Sequence, residues 1–80
     1  MQGRRVYTNS YGPGDYGKDA NGVWRARPPD ENVHLGSLEN HTVTEHDDGT
    51  ITVSPSILIE QGTGRPSWHG FLERGIWRKE

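Results

Sequence analysis

Two glycine-centred turns, each flanked by alternating side chains, set the strongest limit on this chain. They lie in His41-Thr-Val-Thr-Glu-His-Asp-Asp-Gly-Thr-Ile-Thr-Val-Ser54 and in Ser67-Trp-His-Gly-Phe-Leu-Glu-Arg-Gly-Ile-Trp-Arg78. Alternation with a period of two around a turn glycine is the signature of a β-hairpin. No segment sustains the 3.6-residue period of an amphipathic helix. The expected fold is therefore all-β: a small antiparallel sheet, barrel-like or sandwich, of five or six short strands.

Side-chain segregation chooses the register of each hairpin. A two-residue turn at Asp48-Gly49 sets His46 opposite Ile51. A three-residue loop, Asp47 to Gly49, sets Val43 opposite Val53 and collects Thr42, Thr44, His46, Thr50 and Thr52 on one face. The second arrangement separates polar from apolar better and places Gly49 at positive φ, where glycine carries no Cβ penalty. The same device at Glu73-Arg74-Gly75 pairs Leu72 with Ile76 and Phe71 with Trp77. Trp68, Leu72 and Ile76 then share one face, and His69, Phe71 and Trp77 the other.

Upstream, Arg4 to Thr8 and Val23 to Arg27 read as strands. Between them, residues 9–22 form a long loop rich in Gly, Asn, Asp and Tyr, expected to be flexible. Pro28-Pro29 ends the second strand, and Asp30 to Asn40 is an irregular connector. At 80 residues the chain is one small β domain, 1–80, near the lower size limit for independent folding. Apolar residues make up 29% and there is no Cys. Without disulfides, the three Trp, three Tyr and one Phe must supply much of the core. Otherwise a second copy or a partner chain completes it. The longest apolar run, Ile57-Leu58-Ile59, is too short for a membrane span or a secretion signal, so a cytoplasmic location is expected.

Charge is divided along the sequence. Between Asp30 and Glu60 there is no Lys or Arg, and all nine basic residues lie outside that stretch. Such a division gives either pairing of acidic strands with basic ones or separate surfaces of opposite sign. Glu45, Asp47 and Asp48 mark the acidic surface.

Val53-Ser-Pro-Ser-Ile-Leu-Ile59, followed by Trp68-His-Gly-Phe-Leu-Glu-Arg-Gly-Ile-Trp77, resembles a family of small bacterial and phage proteins with no assigned activity. The likeness covers the C-terminal half. It implies an all-β core and an origin on a phage or prophage, hence action in the host cytoplasm. Some members of the broader family carry cysteines that suggest a metal. This chain has none, so that property does not carry over.

The residues themselves bound the chemistry. His41 and Glu45 share a strand face but stand ~13 Å apart at ~3.3 Å per residue, too far for one zinc. His46 points the other way, so no metal and no cofactor is expected. Asp15, Asp19 and Asn21 lack the spacing of a calcium loop. A Ser-His-acid site could use Ser56 or Ser67 with His69, but there is no nucleophile elbow, and Ser56 beside Pro55 reads as a backbone-bonding residue at a bend. An enzyme is not expected. Arg4, Arg5, Arg25 and Arg27 with Tyr7 and Trp24 would suit single-stranded nucleic acid, against the negative overall charge. Protein binding is favoured, because Trp, Tyr and Arg dominate interface hot spots. The expected site comprises His69, Phe71, Trp77, Arg65, Arg78 and Trp24. The expected role is a small inhibitor or modulator of a host protein, in a defence or nucleic-acid-handling complex. A minor phage assembly protein, a homodimer and a single-strand-binding module are the alternatives.

Overall fold

A computed structural model describes residues Met1–Glu80. It contains no helix and nine short strands: β1 Arg4–Arg5, β2 Asp15–Lys18, β3 Trp24–Ala26, β4 Gly36–Ser37, β5 Thr42–Glu45, β6 Ile51–Ser54, β7 Ile57–Ile59, β8 Trp68–Glu73 and β9 Ile76–Lys79. Three small sheets result, ordered β1-β2-β3-β4, β5-β6 and β7-β8-β9, and none closes into a barrel. All pairings are antiparallel except β1 with β2. Nine strands replace the expected five or six. The 9–22 segment contributes β2, the 30–40 connector contributes β4, and Pro55 divides β6 from β7, since proline has no N–H for a ladder.

The 9–22 segment is thus only partly a loop. Asp15 is buried, and its carboxylate accepts the Gly12 N–H at 2.9 Å and an Arg4 N–H at 3.1 Å. Gly14 donates to the Arg27 carbonyl at 2.8 Å. Tyr16 follows into the core beside Ala26. Local loop composition gave no sign of these partners, because they lie on distant segments.

The first hairpin has the expected register: Val43 pairs with Val53 and Glu45 with Ile51, with Gly49 at φ 87°. Ile51 and Val53 point into the core, while His46 Nε2 and Thr52 Oγ1 meet at 2.7 Å on the other face. The final hairpin does not have the expected register. Its turn is two residues, Arg74 and Gly75, both left-handed at φ 47° and 77°. Glu73 pairs with Ile76, Leu72 with Trp77 and Phe71 with Arg78. Two left-handed residues give a turn whose twist matches that of the flanking strands. The turn is also held from below: Arg74 N–H donates to Thr52 Oγ1 at 3.0 Å and Gly75 N–H to the Ile51 carbonyl at 3.0 Å. A one-residue slip reverses every side chain beyond the turn. Trp77 therefore enters the core, and Ile76, expected inside, is 46% exposed.

Eleven apolar residues form the core, drawn from all three sheets. Trp68 and Trp77 meet edge to face, centroids 5.4 Å apart at 87°. The Trp77 indole N–H donates to the Gly14 carbonyl at 2.9 Å, tying β9 to the start of β2. Residues 1–3 run along β9: the Met1 amine donates to the Trp77 carbonyl at 2.9 Å, Trp77 N–H to the Met1 carbonyl at 2.7 Å, and Gly3 N–H to the Gly75 carbonyl at 2.7 Å. The chain then continues into β1 beside β2, so one segment joins two sheets.

Gly75 must satisfy two demands at once. Its φ is left-handed, and a Cβ there would stand 2.9 Å from the Tyr16 hydroxyl and 3.0 Å from Thr50 Cγ2. Gly22 shares the positive φ, at 79°, but faces open space. Gly22→Ala should cost about 1–2 kcal/mol for the backbone alone. Gly75→Ala should cost about 1–3 kcal/mol more for overpacking. Urea unfolding of the two variants checks the order, and equal midpoints would remove the packing contribution at Gly75.

Candidate functional site

Strand parity makes the site. On β7 and β8 the core takes Ile57, Ile59, Trp68, Gly70 and Leu72. The intervening residues face outward. By register, Leu58 lies beside His69, Phe71 beside Arg78, and Glu73 beside Ile76. Ser56, one residue before β7, has the same parity as Leu58 and reaches the same face. Leu58 on β7, Phe71 on β8 and Ile76 on β9 therefore form a diagonal apolar stripe across the sheet. Leu58 is 53% exposed and Phe71 half-buried. Arg78 lies over the Phe71 ring, 4.5 Å from its centroid, and donates to Glu73 at 2.8 Å. Its cationic plane covers one side of the ring.

At one end of the stripe sits a row of hydrogen bonds. Ser56 Oγ is 2.7 Å from His69 Nε2, and His69 Nδ1 is 2.8 Å from Glu80 Oε2. Glu80 is placed there by its backbone, whose N–H donates to the His69 carbonyl at 3.0 Å. A carboxylate only accepts, so Nδ1 carries a proton. In the neutral imidazole Nε2 is then an acceptor, and the Ser56 hydroxyl donates to it. His41 holds Ser56 from behind, its Nε2 donating to the Ser56 carbonyl at 3.0 Å, while its Nδ1 is buried without a partner.

Of the six residues expected to form the site, the structure gathers His69, Phe71 and Arg78. His69 and Phe71 have ring centroids 6.3 Å apart. Trp77 is a correction: it is 2% exposed and belongs to the core, because of the turn register. Trp24 is also elsewhere. It is half-buried on β3, packed against the core, with Arg5 4.9 Å and Lys18 5.2 Å from its ring centroid. It does not close over Phe71. Arg65 is exposed beside open depressions that Gln61 also lines, and it shares one of them with Leu58 of the stripe. Leu58, Ile76 and Glu80 are not among the residues expected from the sequence, and Ser56 is expected only as a Ser-His-acid candidate with His69, not as part of the binding face. The alternation of Ser56, Ile57, Leu58 and Ile59 signals that Ser56 and Leu58 share a face, while Ile76 and Glu80 depend on the final turn.

The charge division is only slightly neutralised. Of the acidic residues between Asp30 and Glu60, only Glu45 forms an ion pair, with Arg5. Arg4 pairs with Asp15, Arg25 with Asp19 and Arg78 with Glu73, all outside that stretch. Arg27 is used by the carbonyls of Val33, Tyr11 and Glu31. The cations considered for nucleic acid are thus engaged within the fold. Glu45, Asp47 and Asp48 gather at the tip of the β5–β6 hairpin, facing Arg74. Asp48 accepts from Thr50 N–H at 3.0 Å and from Thr50 Oγ1 at 2.6 Å. No group of three or more His, Asp or Glu is placed to hold a metal ion.

No family model, curated protein or solved structure matches the chain.

Three carboxyls are held below their ordinary range. Asp19 is lowered mainly by the hydrogen bond from Arg25, Glu45 by that from Arg5, and Asp48 by those from Thr50. A depressed folded-state pKa gives stability that is complete above the unfolded value, about 3.9–4.3, and is lost as pH falls through the folded value. The melting temperature should therefore fall on acidification below about pH 4. In Asp19→Asn that fall should be shallower. A profile for Asp19→Asn parallel to wild type would show that the Arg25 bond adds no pH-dependent stability.

Proposed function

We propose that the protein acts by binding another protein through the outer face of the β7-β8-β9 sheet. The diagonal of Leu58, Phe71 and Ile76 carries this reading. Two of the chain's exposed large hydrophobic residues, Leu58 and Ile76, lie on it, and Phe71 between them is half-buried under Arg78. Interfaces of this kind combine an apolar, aromatic centre with a polar rim. Here Arg78, Glu73, His69 and Glu80 surround the stripe. Arg78 over Phe71 is a suitable hot-spot pair, since aromatic residues and arginine contribute most when a partner excludes water from them. The face is small, so affinity must come from that centre rather than from area.

The acidic hairpin tip steers a basic partner into encounter. Together with the phage resemblance of the C-terminal half, this supports reading the protein as a small phage- or prophage-encoded modulator or inhibitor of a host protein, working in the host cytoplasm.

Phe71→Ser tests the reading. Phe71 is half-buried and lies on the outer side of its strand, so the fold should survive with a loss of about 1–2 kcal/mol. Binding to a host protein captured from lysate by the wild type should fall at least tenfold. Retention of the same protein by Phe71→Ser, or a wild type that captures nothing specific, sinks the proposal. Self-association measured by sedimentation, lost in Phe71→Ser, would assign the face to a second copy of the chain instead.

A further inference from the structure

We infer that Ser56 is an activated nucleophile that takes acyl groups from activated esters, with His69 as its general base and Glu80 as the positioning residue. The inference rests on the Ser56–His69–Glu80 row and not on the partner-binding reading, since reaction at Ser56 needs no partner. Both nitrogens of His69 are used in the sense that acyl transfer requires. Nε2 faces the hydroxyl at 2.7 Å, and Nδ1 faces the carboxylate at 2.8 Å. Glu80 thereby fixes the tautomer in which Nε2 has a free lone pair, and it stabilises the imidazolium that forms when Nε2 takes a proton. Three separate backbone devices hold the row. The β7–β8 register places Leu58 beside His69, the His41–Ser56 carbonyl bond holds the residue before β7, and the Glu80 N–H bond to the His69 carbonyl places the acid. Relay geometry of this kind is recognised by atoms and roles, on any fold.

The surroundings indicate the substrate class. Leu58 shares the His69 row, and Phe71 follows two residues along β8. An apolar acyl chain can lie on these two side chains with its carbonyl at Ser56. The site is an open face rather than an enclosed pocket, so the expected substrates are esters with good leaving groups, not peptide bonds. In the first step Ser56 Oγ bonds to the acyl carbon as the ester C–O bond breaks. The hydroxyl proton passes to His69 Nε2 and then to the departing alkoxide or aryloxide, which leaves as the alcohol or phenol. In the second step water attacks the acyl-serine, giving one proton to Nε2 and from there to Ser56 Oγ, and the carboxylic acid leaves. Ser56 and His69 end as they began.

The test uses the full chain and a fluorophosphonate, which phosphonylates activated serines with loss of fluoride and forms a stable adduct. Intact-mass and peptide spectra should show one adduct, on Ser56, absent in Ser56→Ala. The rate of adduct formation should fall about 10²–10⁴-fold in His69→Gln, the range of a general base. In Glu80→Gln the rate should fall while the melting temperature stays the same. The pH dependence of labelling should change with it, a change that a purely structural contact at residue 80 would not couple to Ser56 reactivity. With p-nitrophenyl butyrate, wild type should show a Ser56-dependent release of nitrophenol above that of Ser56→Ala. No adduct on Ser56 in folded wild-type protein overturns the inference, as does labelling of Ser56 at the same rate in His69→Gln.

Discussion

The fold depends on the placement of Trp77. Its ring packs edge to face on Trp68, its indole N–H is bonded to Gly14, and both its backbone polar groups are bonded to Met1. These contacts connect the C-terminal sheet, the N-terminal strand segment and the start of β2, elements separated by most of the sequence. A core of so few residues cannot fill three sheets with aliphatic side chains alone, and a buried indole brings both large area and a donor that needs a partner. The Gly14 carbonyl supplies that partner. Gly3 must remain small for the same reason: a Cβ there would stand 2.7 Å from the indole nitrogen.

The direction of Trp77 is decided two residues away. Arg74 and Gly75 both adopt left-handed conformations, and the turn is anchored on Ile51 and Thr52 of β6. The first hairpin thus serves as the seat of the second. Once the turn is two residues long, parity assigns Trp77 and Leu72 to the core and leaves Phe71, Arg78 and Ile76 outside. The candidate surface is therefore a consequence of the same turn that completes the core. A three-residue loop would bury Ile76 and expose an indole instead.

The residues that could be read from sequence are those whose neighbours are local. The Asp47–Gly49 loop and its register follow from side-chain alternation alone, and so does the outward face of His69 and Phe71 on β8. The failures have one cause in common. Arg74 looks unsuited to positive φ, and only two acceptors on β6, the Thr52 hydroxyl and the Ile51 carbonyl, far away in sequence, explain its conformation. β2 is hidden in a Gly- and Asp-rich segment because its support comes from Arg4, Arg27 and Trp77. The row at Ser56 was partly legible: Ser56 and His69 were both candidates, but the acid partner depends on the register of the final hairpin. With Trp77 on the wrong face, Glu80 had no assigned neighbour.

The division of charge has a parallel logic. Three of the seven arginines are consumed in and around the 9–22 segment: Arg4 and Arg25 by its carboxylates, and Arg27 by three carbonyls of its surroundings. They act as staples for a region poor in apolar side chains, where a charge-assisted hydrogen bond to a carboxylate or carbonyl replaces packing that the composition cannot supply. Arg5 is the exception in reach. It crosses to Glu45 and the Gly49 carbonyl, lies 5.0 Å from the Tyr7 ring and 4.9 Å from that of Trp24, and so links the first sheet to the β5–β6 hairpin. With these cations used internally, the acidic residues from Asp30 to Glu60 other than Glu45 form no ion pair. On the proposed reading, a partner approaching the Leu58–Phe71–Ile76 stripe would meet a surface whose charge is set by the needs of the fold, and one with its own positive field would be drawn in.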